Sequence, residues 1–150
     1  MRLLFTATDS GLGQIGSRLI RAFEGGLASH CGAVLANGRV VDATWPRGVQ
    51  AHSEHDFLRG RTLVADLSVP LPDEAAGQAY LLGQIGKPYD WLDILSFLVW
   101  RDVGQAGVNV CSGLLLRAML AGGLQVHERH DRWGVRHALI DAQARAFPIP

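Results

Sequence analysis

The chain has little that would cross-link it, anchor it or give it a dominant charge. Its 150 residues include only two cysteines, Cys31 and Cys111, with no CxxC pair. Two thiols make no disulfide framework, and in a reducing compartment both would be free. Fourteen Lys and Arg balance fourteen Asp and Glu, for a formal net charge of zero. That balance argues against a broad phosphate-neutralising surface, so no nucleic-acid partner is expected, although a local basic patch is not excluded by it. No apolar run reaches membrane-spanning length: the longest, residues 92–100, is short and contains Asp93. The first nine residues lack an adequate apolar region and a small-residue cleavage site, so no signal peptide is expected. A cytoplasmic location, or association with a phage, is the corresponding expectation. There is no internal repeat.

What is present is an ordinary globular composition, 48% apolar and 19% charged. A chain of this length forms one domain and buries about two thirds of its unfolded surface. Residues 2–7 read as a short strand and residues 9–13 as a loop. Ile15, Leu19, Ile20 and Phe23 then recur at helical spacing on one face, and Gly25-Gly26 stops that helix. Residues 29–35 form a small, apolar strand, followed by a turn at Ala36-Asn37-Gly38 and a return strand over 39–44. Residues 45–48 are a loop, 48–51 extend again, and 52–59 are polar with room for one helical turn. In residues 61–69, Leu63, Ala65, Leu67 and Val69 alternate with Thr62, Val64, Asp66 and Ser68, as a strand would.

After Pro70-Leu71-Pro72 the period changes. Asp73-Glu74 open a helix that runs through Tyr80, Leu81 and Ile85 to Gly86. Lys87-Pro88-Tyr89 break it, residues 90–100 read as a strongly apolar helix, and residues 101–107 as a loop. A third helix runs from Cys111 to Ala121 and is closed by Gly122-Gly123. The tail is polar and basic at first (His127, Arg129, His130, Arg132), with a helix across 135–144. The strands cluster in the first half and are joined by short turns. This is an α+β pattern, an antiparallel sheet with helices packed to one side.

The chemistry centres on Val108-Asn109-Val110-Cys111-Ser112-Gly113, where a β-like approach ends in a cysteine that starts an apolar helix. A thiol at a helix N-terminus meets unpaired N–H groups and the positive end of the macrodipole, and both favour the nucleophilic thiolate. Read alone, Cys111 is more often a buried structural cysteine. A nucleophile needs a base. Of six histidines, His30 stands apart because it sits in a small apolar strand, where a polar ring must find a partner. The other five, His52, His55, His127, His130 and His137, read as solvated surface residues, and His127-Glu128-Arg129-His130 is too poor in ligands to suggest a metal. Cys31 points away from His30 and reads as core filler.

The hairpin turn decides what serves His30. A two-residue Asn37-Gly38 turn puts His30 and Asp42 on opposite faces. A three-residue Ala36-Asn37-Gly38 loop with Gly38 left-handed pairs Leu35 with Arg39 and Gly32 with Asp42. His30 then lies diagonal to Asp42 on one face, about 7–8 Å away at Cα. Only the second form lets Asp42 orient the imidazole as the third member of a nucleophilic triad.

Gly86-Lys87-Pro88-Tyr89-Asp90-Trp91 followed by Asn109-Val110-Cys111-Ser112-Gly113-Leu114-Leu115 resembles the tyrosine loop and Cys-Ser-Gly helix of NlpC-type papain-fold cysteine hydrolases. Ser29-His30-Cys31-Gly32-Ala33-Val34 and Val40-Val41-Asp42-Ala43 precede the cysteine instead of following it. That order is similar to the circularly permuted branch, which includes bacterial and phage hydrolases and lecithin retinol acyltransferase-like proteins. The resemblance spans roughly residues 1–124. It implies a permuted papain-like fold with Cys111 as nucleophile, His30 as general base, Asp42 as the polar third residue and Tyr89 lining the site as an oxyanion donor, beside the Cys111 backbone N–H. The Trp-Gly-Gly that follows the tyrosine in NlpC members is replaced by Trp91-Leu92-Asp93, so their usual peptidoglycan substrate does not carry over directly.

The expected activity is hydrolysis of an amide or ester through a covalent acyl-enzyme, on a small peptide or acyl substrate, with cell-wall peptides one candidate and no cofactor or metal. An acyltransferase acting on a lipid or small amine would use the same triad with a different acceptor. A non-catalytic or phage-associated binding module would keep the fold and separate Cys111 from His30.

Overall fold

A computed structural model describes residues 1–8, 13–88, 111–125 and 134–146. The sequence expectations for the loop over 9–12, the helix over 90–100, the loop over 101–107, the approach 108–110, Tyr89 and the basic stretch with His127 and His130 all lie outside the described residues.

The strands are β1 (Arg2–Ala7), β2 (His30–Val34), β3 (Arg39–Thr44), β4 (Gly48–Ser53) and β5 (Thr62–Ser68). They form one antiparallel sheet in the order β4-β3-β2-β1-β5. The described helices are α1 (Gly13–Glu24), α2 (Glu54–Leu58), α3 (Glu74–Gln84), α4 (Cys111–Ala121) and α5 (Val135–Arg145). The α+β class and the antiparallel sheet packed with helices are as the sequence pattern predicts.

Period-2 alternation splits the sheet into two faces. Leu3, Phe5, Cys31, Ala33, Val41, Ala43 and Val49 face the main core with Leu81 of α3, Leu114, Leu115 and Met119 of α4, and Ala138 of α5. Helix α4 is the centre of this layer. It is apolar on nearly every side and accordingly buried on nearly every side, from Cys111 to Met119. Each fully buried Leu or Met there contributes about 1.5–3 kcal/mol relative to exposure. Leu4, Val34 and Val40 face the opposite way, onto Phe57 of α2. The expectation of helices on one side therefore needs correction. The short α2 covers the second face, because Phe57 must bury its ring somewhere and the even-numbered residues of β1 and β2 offer an apolar surface.

Helix α2 is held there by charge as well as by Phe57. The Arg2 guanidinium donates to both oxygens of Glu54 (2.7 and 2.8 Å) and to both of Asp66 (2.8 and 2.6 Å). Such forked, charge-assisted pairs fix geometry better than a lysine would. Ser53 caps α2, its Oγ accepting the Asp56 N–H at 3.0 Å.

Three further details differ from the sequence reading. Leu19 does not share the buried face of α1 but is 66% exposed. The helix docks instead through buried Ser17, whose Oγ lies 2.7 Å from Ser29 Oγ and accepts the Thr8 N–H at 3.1 Å. Leu63 is also exposed, because the β1–β5 register shifts between Phe5 and Thr6. A bulge of one residue moves side chains to the other face, so Val64 packs inward where Leu63 was expected. Strand β4 extends through Ser53, two residues beyond the expected stretch.

Glycine is required at two turns. Gly38 has φ +78 in the β2–β3 loop, with open space around it. Gly48 has φ +77, and a Cβ there would strike the Lys87 carbonyl oxygen. That carbonyl accepts the Val49 N–H at 2.9 Å, and the Gly86 N–H donates to Val49 O at 2.9 Å, so residues 86–88 are docked along β4. Gly38→Ala is expected to cost about 1 kcal/mol from backbone strain alone. Gly48→Ala adds overpacking to the same strain, and about 2–4 kcal/mol is expected. Urea denaturation with an unchanged m-value checks the order. A Gly48 variant as stable as the Gly38 variant would contradict the docking of residues 86–88.

Candidate active site

The β2–β3 loop takes the three-residue form. Leu35 N–H donates to Arg39 O at 2.8 Å and Gly38 N–H to Leu35 O at 2.9 Å. The ladder then pairs Val34 with Val40, Ala33 with Val41 and Gly32 with Asp42. His30, two residues before Gly32, shares a face with Asp42, and its Nε2 donates to Asp42 Oδ2 at 2.7 Å. The β2–β3 ladder ends at the Gly32–Asp42 pair, so His30 and Cys31 extend beyond the paired part of β3, and Cys111 at the start of α4 meets them there.

Asp42 is the most buried group of the site, its side chain 1% exposed. It collects three cationic or potentially cationic partners. Besides His30, it accepts from His52 Nε2 on Oδ1 at 3.0 Å, and Arg61 Nη1 stands 3.5 Å from Oδ2. Burial alone would push its carboxyl up, but the His30 hydrogen bond and the charges of His30, His52 and Arg61 outweigh that and hold it below 3.8.

Cys111 is the first residue of α4 and only 7% exposed. Its sulfur is held by the Cys31 thiol and backbone N–H and by the His30 ring. The Cys31 contact lowers its pKa most. Burial works the other way, the His30 charge adds to the lowering, and the result lies well below the ordinary thiol value. For His30, burial opposes the imidazolium, but the Cys111 thiolate and Asp42 on either side of the ring override it, while Arg61 works against it. The outcome is a pKa of about 9, above the ordinary 6.5. With Nε2 engaged by Asp42, Nδ1 is the ring nitrogen left for the thiol. Both shifts favour the thiolate–imidazolium pair over the neutral one.

Phe57 packs under the His30 ring, centroids 5.8 Å apart, and the Arg61 guanidinium lies 4.8 Å over the Phe57 ring. Asp42, His52, Phe57 and Arg61 are part of the wall of a polar cleft of about 380 Å³ on this face.

Cys111, His30 and Asp42 are therefore brought together as expected, while Tyr89 lies outside the described residues. Two expectations change. His52 is not a solvated surface residue: its side chain is 23% exposed and serves Asp42. Extending β4 by one alternation would have found it, because the Asp42–Gln50 and Val40–His52 pairs put His52 diagonal to Asp42. Cys31 is core filler on the other face, as expected, but its thiol also reaches Cys111, which strand alternation alone could not reveal. Arg61 had no sequence signal, since it arrives from a turn between α2 and β5. Among the described residues no cluster of three His, Cys, Asp or Glu is placed to hold a metal.

His30, raised above its unfolded value, contributes stability that is fully present below about 6.5 and lost as pH rises through about 9. Asp42, lowered, contributes stability present above 3.8 and lost as pH falls further. In a proton NMR titration the His30 ring is expected to titrate near 9, and Cys111→Ala to bring it down by removing the thiolate. A His30 midpoint that the Cys111 variant leaves unmoved would dissolve the ion pair. Set against protein-family models, curated proteins and solved structures, the chain matches none of them.

Proposed function

We propose that the chain is a cysteine-dependent hydrolase of amide or ester bonds, acting on a small peptide or acyl substrate through a Cys111-His30-Asp42 triad on a circularly permuted papain-like fold. The observation that carries this reading is the placement of one imidazole between a thiol at a helix N-terminus and a buried carboxylate.

The chemistry follows from those charges. The Cys111 thiolate attacks the acyl carbon and forms a tetrahedral oxyanion. The family resemblance implies two donors for that oxygen, the Cys111 backbone N–H at the start of α4 and Tyr89, which follows the docked residues 86–88. Nδ1–H of the His30 imidazolium gives its proton to the leaving amine or alcohol as the C–N or C–O bond breaks, leaving an acyl-thioester and a neutral ring. The ring then takes a proton from water as the hydroxyl attacks the thioester. Acid leaves, and thiolate and imidazolium return. Asp42 keeps Nε2 as the donor throughout and stays ionised, because three partners hold it so. No helix among the described residues is long and apolar enough to cross a membrane.

An activated acyl ester should leave an acyl mass on Cys111, readable by mass spectrometry. Cys111→Ala abolishes the adduct. His30→Ala slows its formation about 10²–10⁴-fold, and Asp42→Asn at least about 10²-fold through loss of the oriented ring. Undiminished labelling of the Cys111 variant would end the proposal.

A further inference from the structure

The cleft behind Asp42 forms and breaks no bond in the acyl transfer described above, although its wall includes Asp42 and two of the residues that hold Asp42 ionised, His52 and Arg61. It is walled by Arg47, Arg59, Arg61 and His52, against the carboxylates of Asp42 and Asp56. Both carboxylates are already engaged within the fold. Asp56 takes Arg59 Nη2 at 2.7 Å and Ser53 Oγ at 2.8 Å. Asp42 takes His30, His52 and the nearby Arg61 charge. What is left over is cationic. Arg47 makes no hydrogen bond or ion pair within the described residues. Arg61 Nη1 is buried with no hydrogen-bond partner, its 3.5 Å approach to Asp42 being too long for a strong one. Nη1 itself is closed off from solvent, so a ligand would meet Arg61 through the part of its side chain that stays exposed in the cleft wall.

We propose that this cleft is a binding site for a small oxyanion, the carboxylate or phosphate group of a small molecule, clamped between Arg47 and Arg61. Two separate turns supply the clamp. Arg47 comes from the β3–β4 connection and Arg61 from the α2–β5 connection, and both line the cleft. Guanidinium forks match oxyanions in plane and spacing. Phe57 beneath Arg61 sets the direction of its fork. A volume of about 380 Å³ suits a small molecule and not a polymer. The site requires nothing of Cys111, although it shares Asp42, His52 and Arg61 with the surroundings of His30.

The test is a titration of the whole chain with sodium phosphate and, separately, sodium acetate, at ionic strength held constant with sodium chloride. It is followed by calorimetry and by the arginine Nε–H resonances in NMR. One saturable site is expected, with the Arg61 resonance moving. Arg47→Ala, which removes an exposed side chain without internal partners, should weaken binding at least about tenfold. Arg61→Gln should do the same, and if that variant does not fold, Arg47→Ala decides. Arg18→Ala, outside the cleft, and Cys111→Ala should bind as the wild type does. Saturation by phosphate only, or by acetate only, assigns the group, and either result supports the site. No saturable response to either anion, or an Arg47 variant that binds like the wild type, overturns it.

Discussion

A buried carboxylate is the constraint on which this structure turns. Asp42 is almost completely removed from water, and an ionised group in that position is costly unless partners replace its hydration. Each partner comes from a different element: His30 from β2, His52 from β4 and Arg61 from the turn before β5. To satisfy one side chain, β3 must lie between β2 and β4 in one register on each side. A slip of one residue would turn Asp42 into the apolar layer beneath α4 and leave both histidines without it. The polar centre therefore specifies strand pairing that the apolar residues of β3 would leave less well defined.

The same residue begins a line of alternating charge. Asp42 and Cys111 are pushed toward their anions and His30 toward its cation, with Arg61 beyond Asp42 adding a second cation. Each group stabilises the charged form of the next, which is why a buried imidazole can be pushed up to about 9 while a buried thiol is pushed down. Neither shift would survive alone, since burial by itself would discharge both groups. These groups are buried together, a condition under which electrostatic interactions are stronger than in solvent.

The two faces of the sheet divide the work. Helix α4 fills the main core and brings Cys111 to the point where the β2–β3 ladder ends. Helix α2, fastened by the Arg2 fork, holds Phe57 beneath His30 and leads to Arg61. His30 lies where the two sides meet. A change to either layer is therefore felt by the imidazole, through packing from α2 or through charge from α4.

Much of this was legible in the chain itself, because it depends on short-range pattern. Alternation placed β1, β2 and β3. The glycine pair after Ala121 closed α4, and a cysteine before an apolar run marked its start. The sequence also reduced the His30–Asp42 question to one turn, though both turn forms stayed open, and hydrogen bonding at Leu35, Gly38 and Arg39 selected between them. What needed the tertiary structure is what depends on non-local pairing. The bulge that exposes Leu63, the Ser17–Ser29 contact that docks α1, and the approach of Cys31 to Cys111 join segments whose local sequence carries no trace of the partner. His52 and Arg61 belong with them. Each is a polar residue in a polar stretch, indistinguishable from solvated surface until β4 pairs with β3 and α2 folds over the sheet. The sequence by itself determined which groups could form a charged triad. Only the tertiary structure decided which others would surround it, because a buried charge recruits partners by proximity in space and not by position along the chain.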